Sequence, residues 1–218
     1  TMDYVTISTT GNAVDFGDLS AQKGTPASCS SSTRGIWNYD AGPVAEMKFV
    51  NIRTLGNTTD FGDGYGDREM LGGQSSSTRG MWAGGYSNNA TIAFITMSTE
   101  GDTIDFGDLT HARHSVGVCA SPTKIFGGGG NAGNSYYSVI DTITTASTGN
   151  SIDGGDLGNP TSLLGAASNS VRGVWLGGRN KLAPSYTASF IQYRTLATSG
   201  VTQYFGELYQ PTESTAST

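Results

Sequence analysis

The residues best suited to chemistry in this chain are carboxylates that recur in pairs three positions apart. The pairs are Asp15 with Asp18, Asp60 with Asp63, Asp105 with Asp108, and Asp153 with Asp156. Calcium takes about six to eight oxygen ligands, so one pair per repeat is too few unless backbone carbonyls join. A basic residue also recurs once per repeat, as Arg34, Arg79, Lys124 and Arg172. The pattern therefore favours an Asp–Arg pair, or a bond from Asp to the backbone of a turn, over a metal site.

Two histidines, His111 and His114, lie three residues apart in one predicted loop. They could contact a metal ion, but no third ligand from Cys, Asp or Glu is predicted beside them, so we interpret both as surface residues. No Ser-His-Asp order, phosphate-binding loop or His-Glu-x-x-His string is present. The sequence thus predicts a protein that is not an enzyme and that uses no metal or cofactor.

The carboxylate pairs belong to a motif that occurs five times and must be positioned by a repeated element. It reads Asp-Phe-Gly-Asp at 15–18, 60–63 and 105–108, Asp-Gly-Gly-Asp at 153–156, and Tyr-Phe-Gly-Glu at 204–207. The second residues of successive copies lie 45, 45, 48 and 51 positions apart. A period of this length is typical of a repeat architecture.

Each motif follows a run rich in β-branched and aromatic residues, such as residues 4–7 or 94–97. A glycine stands six residues before the motif glycine in all five copies, for example Gly11 before Gly17. The pattern predicts two short strands, here named C and D, which form a tight hairpin through this glycine.

A second recurring segment precedes each later C strand. It has a polar cluster, then a basic residue and an aromatic run, as in residues 30–37 and 75–82, and most copies continue into glycines such as Gly84 and Gly85. The polar cluster predicts a turn between two further strands, A and B. Four strands in about 45–50 residues match the size of one β-propeller blade.

The predicted fold is therefore a single all-β domain over residues 1–218, a β-propeller of four-stranded antiparallel blades. The sequence contains five C–D hairpins but four A–B pairs, so we expect five blades, with the fifth closed by the N- and C-terminal segments. The predicted units are a half blade at 3–19, repeats at 20–64, 65–109, 110–157 and 158–208, and a closing segment at 209–218. A solenoid is the main alternative, although β-helix coils use shorter repeats.

The composition fits a turn-rich β protein and argues against several functions. The chain has 218 residues, of which 32 are glycines. Its net charge is −6 and its 12 Lys and Arg residues are scattered, so it lacks the basic stripe that nucleic-acid binding needs. No apolar run of about 18 residues predicts membrane insertion, and no signal-peptide pattern is found. Cys29 and Cys119 occupy equivalent positions two repeats apart, where a disulfide is not expected, and are interpreted as small core residues.

Two resemblances suggest a function. The glycine pair after an aromatic strand, as in Trp82 followed by Gly84 and Gly85, resembles the kelch repeat, whose fold is a β-propeller. The segments at 4–7, 9–12 and 15–19 resemble tandem repeats in proteins of marine bacteriophages. That resemblance implies a non-enzymatic structural component of the virion, either a decoration or a tail-fibre, receptor-binding protein. The implied partners are other virion proteins or a host-surface glycan, and a homo-oligomer is also allowed. The alternative function is a carbohydrate-binding lectin that is secreted or held at a surface. Such a lectin would be extracellular.

The variable connections give the predicted binding face. In an up-and-down blade, the B–C and D–A connections share one face of the disc, opposite the A–B and C–D turns, and here they differ in length and content between repeats. Loops on a rigid scaffold often carry function, and Tyr, Asn and Arg suit contacts with sugars or proteins. The predicted contact residues on this face are Tyr86, His111, Tyr136, Tyr137, Arg179 and Tyr186. Ordinary solvated loops are the alternative interpretation.

Overall fold

The computed structural model describes residues 1–20, 26–39, 45–64, 66, 70, 72–87, 89–182 and 186–213. This described part contains β-strands joined by turns and no helix. The prediction of an all-β chain is therefore confirmed. Part of the predicted closing segment, residues 214–218, lies outside the described residues. So do residues 40–43, 65, 67–68, 88 and 183–185 of the predicted variable connections.

The strands form a short hairpin followed by four antiparallel sheets of the same design. The hairpin pairs β1 (Met2–Tyr4) with β2 (Val14–Gly17). Sheet 1 comprises β3 (Ala27–Ser30), β4 (Arg34–Tyr39), β5 (Glu46–Asn51) and β6 (Thr59–Asp63). Sheet 2 comprises β7 (Gly72–Ser75), β8 (Arg79–Ala83), β9 (Thr91–Thr96) and β10 (Ile104–Asp108).

Sheets 3 and 4 repeat this design, with one insertion. Sheet 3 comprises β11 (Gly117–Ala120), β12 (Lys124–Gly128), β15 (Val139–Thr144) and β16 (Ile152–Asp156), and a small hairpin of β13 (Asn131–Ala132) and β14 (Ser135–Tyr136) is inserted between its two middle strands. Sheet 4 comprises β17 (Gly165–Ser168), β18 (Arg172–Leu176), β19 (Phe190–Thr195) and β20 (Gln203–Glu207). Each sheet keeps its strands in chain order, which confirms the predicted order A to D, and β1–β2 is an isolated C–D hairpin.

The four sheets stack in a series through their first strands. Strand β3 lies against β7, β7 against β11, and β11 against β17. Among the described residues, no contact of similar extent joins β17 back to β3, and no sheet closes on itself. The series therefore has two ends: hairpin β1–β2 beside sheet 1, and the outer surface of sheet 4.

The A–B turns form because a side chain in each turn captures a backbone N–H of the next strand. Ser31, Ser76 and Ser121 each accept a hydrogen bond at 3.1 Å from the basic residue three positions later. Asn169 does the same for Arg172 at 2.8 Å. These short side chains favour turns for this reason, and the predicted polar turns are confirmed.

The hydrophobic core lies between the sheets rather than inside any one of them. Trp82 of sheet 2 is buried against sheet 1 and donates its indole N–H to Ala27 O at 3.3 Å, and Trp175 of sheet 4 donates to Gly117 O of sheet 3 at 3.0 Å. Burying a large apolar side chain stabilises by about 1.5–3 kcal/mol. Each sheet therefore depends on its neighbours for stability, as expected of a repeat protein.

The two cysteines belong to this core. Cys29 and Cys119 are free and buried, 6% and 0% exposed. Burial raises the pKa of each thiol to about 12, so both stay protonated and unreactive at neutral pH. Their interpretation as small core residues is confirmed.

The repeated glycines form a contact between consecutive sheets, which we call the seam. Gly101, in the C–D connection of sheet 2, donates its N–H to Phe61 O of sheet 1 at 2.7 Å, and a Cβ on Gly62 would lie 2.4 Å from Gly101 O. Gly62 also has a φ of +144°, which L side chains rarely adopt. This connection runs from residue 97 to 103, so the predicted tight turn is wrong: the glycine does not turn the hairpin but docks on the preceding sheet.

The seam also explains part of the recurring polar pattern. Asp18, Asp63 and Asp108 contribute backbone N–H groups, which donate to side-chain oxygens of the next sheet at 2.9–3.0 Å. The acceptors are Asn57, Asp102 and Asn150, each directly after the docked glycine. The second aspartate of each of these three pairs therefore joins two sheets through its backbone N–H and not through its carboxylate.

Candidate functional site

The B–C and D–A connections form one continuous surface, which we call the loop face. It consists of the described residues within 84–90, 109–116, 129–138, 157–164 and 177–189. Backbone hydrogen bonds join neighbouring connections: Gly85 N–H donates to Arg113 O at 3.1 Å, and His114 and Asn131 bond each other at 3.0 Å in both directions. The connections are therefore fixed to one another through their main chains.

Two ring pairs lie on this face, and each includes a predicted contact residue. The rings of His111 and Tyr137 are 5.1 Å apart, and those of Tyr86 and His114 are 5.3 Å apart. Tyr86 is 57% exposed, and His111 is also exposed. In each pair one ring is exposed and the other is more deeply buried.

A cation covers a third aromatic residue. The Lys181 ammonium lies 5.1 Å from the centre of the Tyr136 ring and donates a hydrogen bond to Asn134 O at 2.5 Å. Lys181 and Asn134 belong to the connections of sheets 4 and 3, so the contact joins two sheets across the loop face. Such a cation on an aromatic ring contributes about 0.5–1 kcal/mol at an exposed site.

The two remaining predicted residues lie in the longest connection. Arg179 pairs with Glu213 at 3.1 Å, and its backbone bonds Ser162 in both directions. Tyr186 is 57% exposed, has a positive φ of 60°, and accepts the Asn180 N–H at 2.8 Å. The structure therefore brings His111 and Tyr137 into contact, while the other four predicted residues are spread over the same face.

A buried ion pair lies beneath the loop face and is hydrogen-bonded to its connections. Arg113 and Asp141 are both 0% exposed, and the Arg113 guanidinium donates directly to the Asp141 carboxylate. The same guanidinium donates to Gly129 O at 2.6 Å, and the carboxylate accepts from Ser151 Oγ at 2.5 Å and from Thr110 N–H at 3.0 Å. A buried ion pair is tolerated only with such additional hydrogen bonds.

Sequence reasoning missed this pair. Arg113 stands between His111 and His114, and its sequence context does not distinguish it from a surface residue. Asp141 interrupts the run Val-Ile-Asp-Thr-Ile-Thr at 139–144, where sheet 2 has Ala93 and sheet 4 has Gln192. An acidic residue in an otherwise buried strand was the available signal, because a buried carboxylate requires a partner.

The interpretation of both histidines as surface residues is wrong for His114. Its side chain is 8% exposed, with Nδ1 at 2.9 Å from Ser115 Oγ and Nε2 at 3.3 Å from Asn131 Nδ2. Burial lowers the pKa of His114 below its usual value. The imidazole is therefore neutral at physiological pH and acts as part of the loop structure.

The recurring arginines do not pair with the motif carboxylates in the described structure. Arg34, Arg79 and Arg172 lie over the rings of Phe49, Phe94 and Tyr193 at 4.6–4.7 Å. The predicted Asp–Arg pair is therefore wrong for these residues, and each arginine instead makes a cation–π contact within its own sheet. The alternative, a bond from Asp to nearby backbone, occurs in one copy, where the Gly155 N–H donates to Asp153 Oδ1 at 2.8 Å. Within the described residues, no group of three or more His, Cys, Asp or Glu side chains is close enough to hold a metal ion.

An apolar cleft of about 690 Å³ lies elsewhere, between hairpin β1–β2 and sheet 1. Its lining includes Tyr4, Val5, Trp37, Val50 and Ile52. Trp37 is equivalent to Trp82 and Trp175, but its indole N–H has no hydrogen-bond partner in the described part of the chain. The cleft thus lies where strands A and B of a preceding sheet would pack.

No model of a protein family matches the chain, and no curated protein matches its sequence. The described residues include no helix that is long and apolar enough to cross a membrane.

Proposed function

We propose that this protein is a non-enzymatic structural component of a phage virion, either a decoration or a tail-fibre, receptor-binding protein. The observation that carries the proposal is the contrast between a repeated scaffold and a loop face that differs from sheet to sheet. Aromatic rings and hydrogen-bonding groups on a fixed backbone suit contact with another protein or a glycan. The resemblance of the repeats to those of marine phage proteins supports a location in the virion.

We further propose that the four sheets are blades of a five-bladed β-propeller. Hairpin β1–β2 supplies strands C and D of the fifth blade, and the segment after Leu208 begins its first strand. Two observations support this arrangement: the hairpin joins sheet 1 through a normal seam, since Gly56 N–H donates to Phe16 O at 2.9 Å, and the Trp37 cleft is open where the remaining strands would lie.

A carbohydrate-binding lectin is the second candidate. Tyr86 and Tyr186 are each 57% exposed, and Lys181 and Asn134 stand beside the Tyr136 ring. Flat aromatic faces next to polar groups suit stacking and hydrogen bonding to a sugar. This candidate differs from the first in location, because a lectin would act as a free secreted or surface protein.

Mass spectrometry of purified phage particles tests the first proposal. Peptides of this protein should be found in stoichiometric amounts in particles that survive density-gradient purification. Recovery only from the particle-free fraction would contradict a virion role. A glycan array with the wild-type protein and with Tyr86→Ala then tests sugar binding, and the absence of any signal at high protein concentration would contradict the lectin.

A further inference from the structure

The seam occurs four times within the chain with the same geometry. In each, a glycine N–H of a C–D connection donates at 2.7–3.0 Å to a carbonyl on the outer strand of the preceding sheet. The docked glycines are Gly56, Gly101, Gly149 and Gly200, and the glycines that receive them are Gly17, Gly62, Gly107 and Gly155. A Cβ on any receiving glycine would lie 2.2–2.4 Å from the carbonyl oxygen of the docked one.

A fifth receiving strand is present at one end of the series, and no C–D connection of the described residues docks on it. Gly206 of β20 occupies the receiving position, but a Cβ there would meet nothing within 4 Å. Phe205 beside it is 57% exposed, whereas its equivalents Phe61 and Phe106 are 2% and 3% exposed. The outer surface of sheet 4 thus displays a half-seam without its partner.

The complementary half lies at the other end. Gly11 and Asn12 occupy the docking position of the N-terminal hairpin, both are exposed, and neither has a hydrogen-bond partner among the described residues. Asn12 matches Asn57 and Asn150, whose side chains accept a backbone N–H of the preceding sheet. Ile7 beside this turn is 99% exposed, whereas its equivalent Met97 is 3% exposed.

We propose that these halves pair between two copies of the chain in an open form of the protein, in which the five-bladed ring proposed above is not closed within one chain. The Gly11–Asn12 turn of one copy then docks on β20 of another. Among the described strands, β1 and β2 make no extensive contact with β20, while each end carries the residues that its partner requires. The pairing continues an interface that the chain already makes four times: Gly11 N–H meets Phe205 O, and Asn12 Oδ1 accepts the Glu207 N–H. Such an interface joins unlike surfaces, so it builds a head-to-tail ring or filament.

Substitutions at the free ends test the pairing without disturbing the interior. Gly206→Ala and Gly11→Val add side chains into open space, and neither glycine has a positive φ, so each variant should keep the wild-type Tm. Gly206→Ala blocks the receiving strand, because its Cβ would meet the incoming carbonyl. Gly11→Val blocks the turn, because docked glycines have φ of 127–152°, which a β-branched residue avoids. Gly107→Ala, at an occupied seam, is the control for this clash and should lower the Tm.

Light scattering after size exclusion, from about 1 µM to about 1 mM, measures the association. Wild type should grow in mass with concentration, and each end variant should remain a monomer. An equimolar mixture of the two variants should form dimers and nothing larger, because one usable strand and one usable turn remain.

Three results would overturn the proposal. A monomeric wild type whose Tm falls in both end variants would show that the ends close within one chain. A monomeric wild type with unaffected variants would show that the ends do not pair. Association that survives both substitutions would place the interface elsewhere.

Discussion

The connections at the two ends of the strands differ in how much they vary from sheet to sheet. The turn face, formed by the A–B turns at 31–33, 76–78, 121–123 and 169–171 and the C–D connections, uses the same contacts in each repeat. The loop face contains a buried ion pair in one sheet, an inserted hairpin in the same sheet and a long connection in the next. Variation is therefore confined to the ends of the strands that take no part in joining sheets through the seam.

The difference has a physical origin. A receiving glycine of the seam cannot accept a side chain, because a carbonyl of the next sheet occupies the space and φ is positive. Loop-face connections meet one another through backbone bonds such as Gly85 to Arg113 and Gly130 to Thr161 at 2.8 Å, which leave most side chains free to change. A repeat protein built this way can alter its loop face without altering its seam.

The largest expected effect lies beneath the loop face. Arg113→Thr removes a buried cation and leaves Asp141 charged and buried, which should lower the free energy of unfolding by about 3–5 kcal/mol. Urea denaturation of the variant measures this loss. A change below about 1 kcal/mol would show that the pair does not support the face.

Sheet 4 offers a matched control for that change. There Gln192 replaces the aspartate and accepts from Thr202 Oγ1 at 2.7 Å and Gly158 N–H at 2.6 Å, and Thr161 stands where sheet 3 has Arg113. The double variant Arg113→Thr with Asp141→Gln copies this arrangement. It should recover most of the lost stability, because no unpaired charge remains.

The second prediction compares an internal motif with an end motif. Phe61→Ala removes a buried ring that packs edge-on against Phe49 at 5.8 Å, and it should cost about 3 kcal/mol or more. Phe205→Ala makes the same change where the ring is 57% exposed, and in the monomer it should cost less than about 1 kcal/mol. Equal losses in thermal unfolding would mean that the end of sheet 4 is covered in solution.

These contrasts show what the sequence could predict. The strand order followed from residues that recur at a fixed period. The same recurrence predicts burial of Phe16, Phe61 and Phe106, and Phe61 and Phe106 are buried whereas Phe16, in the terminal hairpin, is only partly buried. The role of Gly101 did not follow, because a glycine between two strands equally suits a tight turn and a contact with another sheet. Arg113, Asp141 and buried His114 occur together in one repeat, so no recurrence revealed them. A repeated pattern predicts the features that all sheets share, and it cannot predict the loop face, where the sheets differ.

The third prediction separates contact residues from structural residues on the loop face. Tyr136→Ala with Tyr137→Ala removes two half-buried rings, and the ring contact with His111 accounts for about 1 kcal/mol of stability. The Tm should change little, whereas attachment to the partner or glycan should weaken by about 2 kcal/mol or more if these residues dominate the contact. Calorimetry and a binding assay on the same sample measure both. A Tm loss as large as that of Phe61→Ala would place the tyrosines in the core.

The smallest expected effect is a response to pH that only the loop face should show. Burial holds the pKa of His114 below its unfolded value of about 6.5, so the unfolded chain binds the proton more readily. The stability from neutral His114 is therefore fully present above about pH 6.5 and is lost as the pH falls toward the folded pKa. Protonation would place an uncompensated charge between Ser115, Asn131 and the Tyr86 ring, where the described structure provides no carboxylate.

Hydrogen exchange at single amides can resolve this response. Between about pH 7 and about pH 5, after correction for intrinsic exchange, protection of the His114 and Asn131 amides should fall, because these two residues bond each other on the loop face. The Gly101 and Gly149 amides, which form seams at 2.7 Å, should keep their protection over the same range. His114→Gln, which has no titratable group, should remove the difference between the two sets. If seam and loop amides lost protection together, or if the difference persisted in His114→Gln, another group would be responsible and His114 would not make the loop face the pH-sensitive side.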